Sequence, residues 1–393
     1  MRGVVAGFAL LLLPVAGGAH ERSVSYSSWV LAGRNATVTL RLSLRDANRI
    51  ADDEDTLATS LVGMLSLRAG AALCPPAPGS FRALPTEPGW IARAWRVDCP
   101  EGENELRMRS DVLLDVVPSH LHFARVVPSG AGPERVLTEG GREWVLREAG
   151  AVTTGGLGTS LADYIGLGVA HIVTGYDHLA FLLALLLFTA SVGEAARVVT
   201  GFTVGHSLTL ACAALGYLRP AQGAVEALIG LSIALVAVEN VWLAGGRRDT
   251  RAPRAAIAGI LGAAVLALRL GRVPAPVLVG VALFSACYFR LLAWSTRPAA
   301  LRWAVASLFG LVHGLGFAGV LAEMALPRAR LLPALLGFNL GVELGQLTAI
   351  GLAWPVLRVI VGRGERWQLA LVDYGSAAIC GLGVFWFTTR AFG

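Results

Sequence analysis

From residue 161 onward the chain is a succession of apolar runs separated by short polar breaks. The runs fall at roughly 161–190, 196–217, 223–243, 254–270, 274–294, 301–322, 332–358 and 367–389. A helix needs ~20 apolar residues to cross a hydrocarbon core of ~30 Å. The pattern therefore predicts a polytopic bundle of eight transmembrane helices, or seven if 254–270, the weakest of them, does not cross. Upstream the pattern changes. Residues 23–31, 36–44 and 89–97 alternate or are β-branched, with breakers at 74–80 and 100–104. Short alternating runs bounded by turn residues predict strands, here a small β-sandwich-like domain over 20–150. A glycine-bearing linker, 151–160, joins it to the membrane part at 161–393.

The first nineteen residues have the layout of a signal peptide: Arg2, an apolar run over 4–15, then Gly17, Gly18 and Ala19. Cleavage after Ala19 would make His20 the first mature residue and place the β domain outside the cytoplasm, in an oxidising compartment. Only Cys74 and Cys99 of the five cysteines lie in that domain, so they are expected to form a disulfide. Cys212, Cys287 and Cys380 fall in apolar runs and read as small hydrophobes.

Composition sharpens the class. Hydrophobic residues make up 55% and mean hydropathy is +0.61, too apolar for an ordinary soluble enzyme. Net charge is +6, and every basic residue is arginine, spread through short loops rather than gathered in a patch. That distribution excludes a nucleic-acid surface. With the N-terminal domain outside, the cytoplasmic loops carry Arg197; Arg247, Arg248, Arg251 and Arg254; Arg290, Arg297 and Arg302; and Arg358, Arg363 and Arg366. The opposite side holds Arg219, Arg269, Arg272, Arg328, Arg330 and Arg390, and the excess agrees with the positive-inside rule. The expected address is a bacterial inner membrane with the β domain on the periplasmic side.

An internal repeat lies within the membrane part. At an offset of 107, Phe202 matches Phe309, His206 matches His313, Pro220 matches Pro327, and Ala227-Leu228-Ile229-Gly230 matches Ala334-Leu335-Leu336-Gly337. Both copies begin on the same side, so the repeat is parallel, as in some transporters.

The ionisable residues inside the apolar runs are the candidate chemistry. His171 and His178 are seven apart and share a helix face, with Asp177 offset by about 100° and Gly175 placed to loosen the helix between them. His206 and His313 lie mid-run. Asn339, Glu343 and Gln346 follow i, i+4, i+7 along one face, and Ser232 and Glu239 occupy the repeat-equivalent positions of Asn339 and Gln346. His171, His206, His313 and Glu343 are each roughly 15–20 Å into the core at 1.5 Å per residue. They are expected to form a central metal site. Asp177, His178 and Glu239 would form a second layer nearer the cytoplasm, with Ser232, Asn339 and Gln346 as supporting groups. One intramembrane histidine commonly serves as a helix–helix hydrogen bond. So many ionisable groups at one depth, each costing some +2.5 to +3.5 kcal/mol to insert, point instead to an ion. Imidazole and carboxylate suit divalent nickel, cobalt, zinc, copper or iron.

At these residues the chain resembles the HupE/UreJ family, in its longer branch with an exported N-terminal domain. The pattern His, five residues, Asp-His is met by His171, Asp177 and His178; Gly205-His206-Ser207 and His313-Gly314 resemble the later segments. The resemblance covers about 155–390, with a weaker likeness at Ala19-His20-Glu21. It implies a nickel or cobalt permease, and a periplasmic or metalloenzyme-maturation partner. The shorter permeases lack a large exported domain, so the branch's metal and role are open. An intramembrane metal-dependent enzyme, hydrolase or oxidase, could use the same ligands, and a tether presenting the β domain would leave them dispensable. Outside the membrane, His20, and His120 with His122 on one strand face, are candidate ligands of an exported-domain metal site. The acidic run at 52–55 reads as a solvated loop.

Overall fold

The computed structural model describes residues 23–100, 105–117, 120–127, 134–147, 161–218, 220–247, 250–296, 298–323 and 328–393. His20 and the expected signal peptide and linker lie outside them. The contacts form two compact units, one within His20–Ser160 and one from Leu161 on.

The first unit is built on two sheets. The strands are β1 (Val24–Ala32), β2 (Asn35–Ser43), β3 (Leu65–Ala69), β4 (Ala72–Leu73), β5 (Arg82–Leu84), β6 (Trp90–Asp98), β7 (Leu106–Ser110), β8 (Leu121–Val126), β9 (Glu134–Leu137) and β10 (Glu143–Arg147). One sheet runs β5-β6-β2-β1-β8-β9, the other β10-β7-β3-β4. Inward residues of both, including Trp29, Val38, Leu40, Leu67, Met108 and Trp144, share one core. Two helices, α1 (Leu44–Ile50) and α2 (Glu54–Met64), were not anticipated. The acidic run at 52–55 is not a free loop: Asp53 caps α2 by accepting from the Thr56 amide at 2.9 Å, and Glu54 pairs with Arg93 at 2.7 Å.

Cys74 and Cys99 are disulfide-bonded across a sequence separation of 25. Closing a loop of that length restricts the unfolded chain by about 3 kcal/mol. Reductant, or Cys74→Ser with Cys99→Ser, is expected to lower the unit's melting temperature. An unchanged transition would contradict a stabilising bond.

The second unit is helical: α3 (Leu161–Thr174), α4 (Tyr176–Leu187), α5 (Val192–Ala214), α6 (Gln222–Ala244), α7 (Arg251–Leu270), α8 (Ala275–Trp294), α9 (Pro298–Glu323), α10 (Arg328–Val361) and α11 (Glu365–Phe392). Among the described residues, α6 to α11 are six helices long and apolar enough to span a bilayer. The pair α3 and α4, bent by 71°, makes a seventh if counted as one span, so the expected single helix at 161–190 is broken. The 23-residue α5 falls below that apolarity because it carries Thr200, Thr203, His206, Ser207 and Thr209. It nevertheless runs beside α9.

Glycines set the pair geometry. A Cβ on Gly205 would overlap the Ser307 carbonyl, one on Gly310 the Phe202 carbonyl, and one on Gly314 the His206 carbonyl. Contacts that advance together along α5 and α9 make the two helices parallel, and Thr209 donates to the Leu311 carbonyl at 2.7 Å along the same seam. The seam joins the repeat-equivalent segments. Likewise Gly168 abuts the backbone of Phe338 and Val342, and Gly341 that of Ile165, so α3 and α10 are parallel. In contrast α6 and α11 are antiparallel, with Gly230 against Phe387 and Ala234 against Gly383. Close backbone approach replaces the hydrophobic effect, which lipid does not supply between helices.

Candidate metal centre

Seven residues of straight helix would separate His171 from His178 by about 10 Å along the axis. The break removes that separation. Gly175 (φ −84°, ψ 88°) ends α3 and opens α4, and a Cβ there would crowd the His171 carbonyl and the His178 ring. The 71° bend folds α4 back, so the two imidazole centroids are 4.5 Å apart. His206 enters from α5, 5.9 Å from His171 and 6.4 Å from His178. One ring nitrogen of each of the three lies within 4.8 Å of the others, and all three side chains are buried. From α9, His313 reaches within 5.4 Å of the His178 ring. Phe317 and Phe338, stacked at 4.4 Å, cover His171, while Phe181 and Phe202 flank His313 at 5.0 and 4.9 Å.

The neighbours assign the ring protons. Asp177 Oδ1 lies 3.0 Å from His178 Nδ1 and also accepts the His178 amide at 2.9 Å. A carboxylate accepts only, so Nδ1 carries the hydrogen and Nε2 keeps its lone pair; that buried nitrogen has no protein partner. Ser232 spends its hydroxyl hydrogen on the Ile229 carbonyl at 2.7 Å and so accepts from His313 Nε2 at 3.0 Å, which leaves the lone pair on Nδ1. Asn339 donates through Nδ2 to Leu335 and accepts from His206 Nδ1 at 3.3 Å. His178, His206 and His313 thus each have one nitrogen anchored as a donor and the other in the tautomer a cation requires.

These supports follow the repeat. His206 and His313 are equivalent positions, as are Asn339 and Ser232, and each histidine is anchored by the polar residue of the other copy. The family model described as HupE / UreJ protein matches twice, over residues 147–273 and 263–390, one copy carrying His206 and the other His313. The chain belongs to the HupE/UreJ family. As a member it is a membrane protein of bilayer-spanning helices with a β-rich N-terminal domain. Comparison with curated proteins gives no match.

The geometry redraws the expected layers of this HupE/UreJ protein. His178 stands with His171 and His206 rather than in a separate inner layer, because of the bend at Gly175. Asp177 supports His178 and does not complete the three-residue group. Glu239 is not with the histidines: it pairs with Arg302 at 2.8 Å and accepts from Tyr288 at 2.8 Å. Arg302, expected in a cytoplasmic loop, is buried by that pairing. Glu343 is outside the three-histidine group; it accepts from Thr200 at 2.6 Å and lines a groove of about 590 Å³ with Thr203, Val204, Ser207 and Leu208. Gln346 meets Thr203 at 3.0 Å. Arg390, placed by sequence at the outer C-terminal end, is buried 3.7 Å from Asp177. Neither arginine was foreseen at these sites, since a cation at a helix end reads as topology.

His120 and His122 are overturned as metal ligands. β1 and β8 pair in parallel with Ser25 opposite His122. Ser23, Ser25 and Ser27 alternate with the two imidazoles, which use all four ring nitrogens at 2.6, 2.8, 2.7 and 2.8 Å. Trp29 donates to Ser27 at 3.0 Å. One consistent relay satisfies the chain: Ser27 donates to His122, His122 to Ser25, Ser25 to His120, and His120 to Ser23; reversed, it occupies the same ring nitrogens. No lone pair remains for a metal.

Burial depresses both histidines from 6.5 to about 3. The folded unit keeps them neutral, while the unfolded chain protonates them near 6.5. Their contribution is therefore present above pH 6.5 and is lost as pH falls toward 3. Two such groups give a slope of about 2.7 kcal/mol per pH unit within that window. Hydrogen-exchange protection of β1 and β8, corrected for intrinsic rates, is expected to fall between pH 7 and 5. Constant protection would contradict the neutral ladder.

Proposed function

We propose that the protein carries a divalent transition metal, nickel or cobalt foremost, through His171, His178 and His206, with His313 taking over or completing the coordination. The observation that supports this most is the convergence of imidazoles from separate helices in a phenylalanine-walled space, with His178, His206 and His313 each oriented by a hydrogen-bond partner. Neutral nitrogen donors suit borderline divalent ions. Asp177, Ser232 and Asn339 hold the rings, and the metal would exchange between ligand sets as it passes. The gradient or potential across the membrane would drive it.

In this reading residues 1–19 direct export, the β domain stands on the periplasmic side of the inner membrane, and it presents the metal or receives a partner. A resident metalloenzyme centre would use the same donors. It differs in keeping its metal through purification, whereas a carrier exchanges it. Uptake of labelled nickel and cobalt by cells making the wild-type or His206→Ala chain tests the proposal. Equal uptake by both would remove it.

A further inference from the structure

Arg390 is a buried charged group beside Asp177 that the carrier reading leaves unused. It lies in the last turn of α11, only 3% exposed. One Nη donates to the Glu226 carbonyl at 2.9 Å, the other lies 3.7 Å from Asp177 Oδ2, and the guanidinium is 5.6 Å from the Trp386 ring centre. Its Nε has no hydrogen-bond partner. A guanidinium with five donors is thus buried and incompletely satisfied, an arrangement poorly suited to a purely structural ion pair. The separation from Asp177 is long for such a pair, and Asp177 has its other oxygen on His178.

We propose that Arg390 is a tethered counter-cation that sets the affinity of the metal site. The inference rests on the carrier reading of His171, His178 and His206. With neutral imidazoles, Asp177 and Arg390 cancel, and the empty site has no net charge. An arriving divalent ion meets the guanidinium across Asp177 in a medium of low dielectric, where repulsion is weakly screened. The ion is held less tightly than the donor set alone would hold it. A conducting site needs that: favourable enough to enter, weak enough to leave. Arg390 thereby separates a carrier from a metal store built of the same ligands.

Cobalt binding to the full-length chain in detergent, followed by the visible absorption of Co²⁺, tests this. Arg390→Gln and Arg390→Met, the second keeping the apolar stem, are expected to bind Co²⁺ about tenfold more tightly or better and to slow cellular uptake. Arg390→Lys, which keeps the charge, is expected to bind as the wild type does. Unchanged or weaker binding in the neutral variants overturns the proposal, as does an equal shift in Arg390→Lys. A chain that folds only with a cation at this position assigns Arg390 a structural role and overturns it too. Absence of cobalt binding by the wild type overturns the underlying site as well, and is distinguished by the silent reference.

Discussion

Replacing His178 by alanine is expected to reduce nickel or cobalt uptake to background, and His206→Ala to do the same. Each removes one of three donors whose nitrogens lie within 4.8 Å of one another. His313, held beside the group by Ser232, would serve as a further ligand and not replace a missing one, and Glu343 is engaged with Thr200 on the groove side of α5. Asp177→Asn is a subtler test. The amide can still accept from His178 Nδ1, but the charge that strengthens the ring as a donor is gone, and loss of such a support costs about 10–100-fold in metal affinity. The ordering to measure is alanine at the histidines worst and Asp177→Asn intermediate. Transport by His178→Ala at the wild-type rate would refute the assignment.

The largest effect on folding is expected from Gly168→Ala. The new methyl would sit inside the backbone of α10, on the Phe338 carbonyl and the Val342 amide, so no rotamer can relieve it. Helices α3 and α10 would have to part. Overpacking by one methyl in a core with flexible neighbours costs typically 1–3 kcal/mol; against rigid backbone the cost should be at least about 3 kcal/mol. The separation would also displace His171, one turn along α3, and Asn339, beside Phe338. Gly166 supplies the control two residues away on the same helix, where a Cβ meets open space. Gly166→Ala should fold as the wild type, while Gly168→Ala should give little monodisperse protein and a lower melting temperature. Equal behaviour would contradict the glycine-set seam.

Much of this architecture is legible in the sequence because bilayer length and alternating runs are strong one-dimensional signals. The Cys74–Cys99 bond was readable since only two cysteines lie in the β domain. The histidines were readable because charge inside an apolar run is costly. What the shared face does not carry is which partner each residue meets. Asn339, Glu343 and Gln346 all face α5, yet at different heights they reach His206, Thr200 and Thr203, so only Asn339 supports a histidine. Depth counted along a straight helix also fails once Gly175 bends it, which is why His178 was misplaced by a layer. The β1–β8 pairing joins residues about a hundred positions apart, and only that pairing reveals His120 and His122 as members of a serine ladder.

The central claim is that imidazoles from separate helices hold one ion together. X-ray absorption at the nickel edge of the nickel-loaded, purified chain reads this directly by counting imidazole ligands. The account predicts at least three histidine nitrogens around the metal, with one fewer in His206→Ala. A metal surrounded by oxygen, or a spectrum unaltered by that substitution, would contradict it.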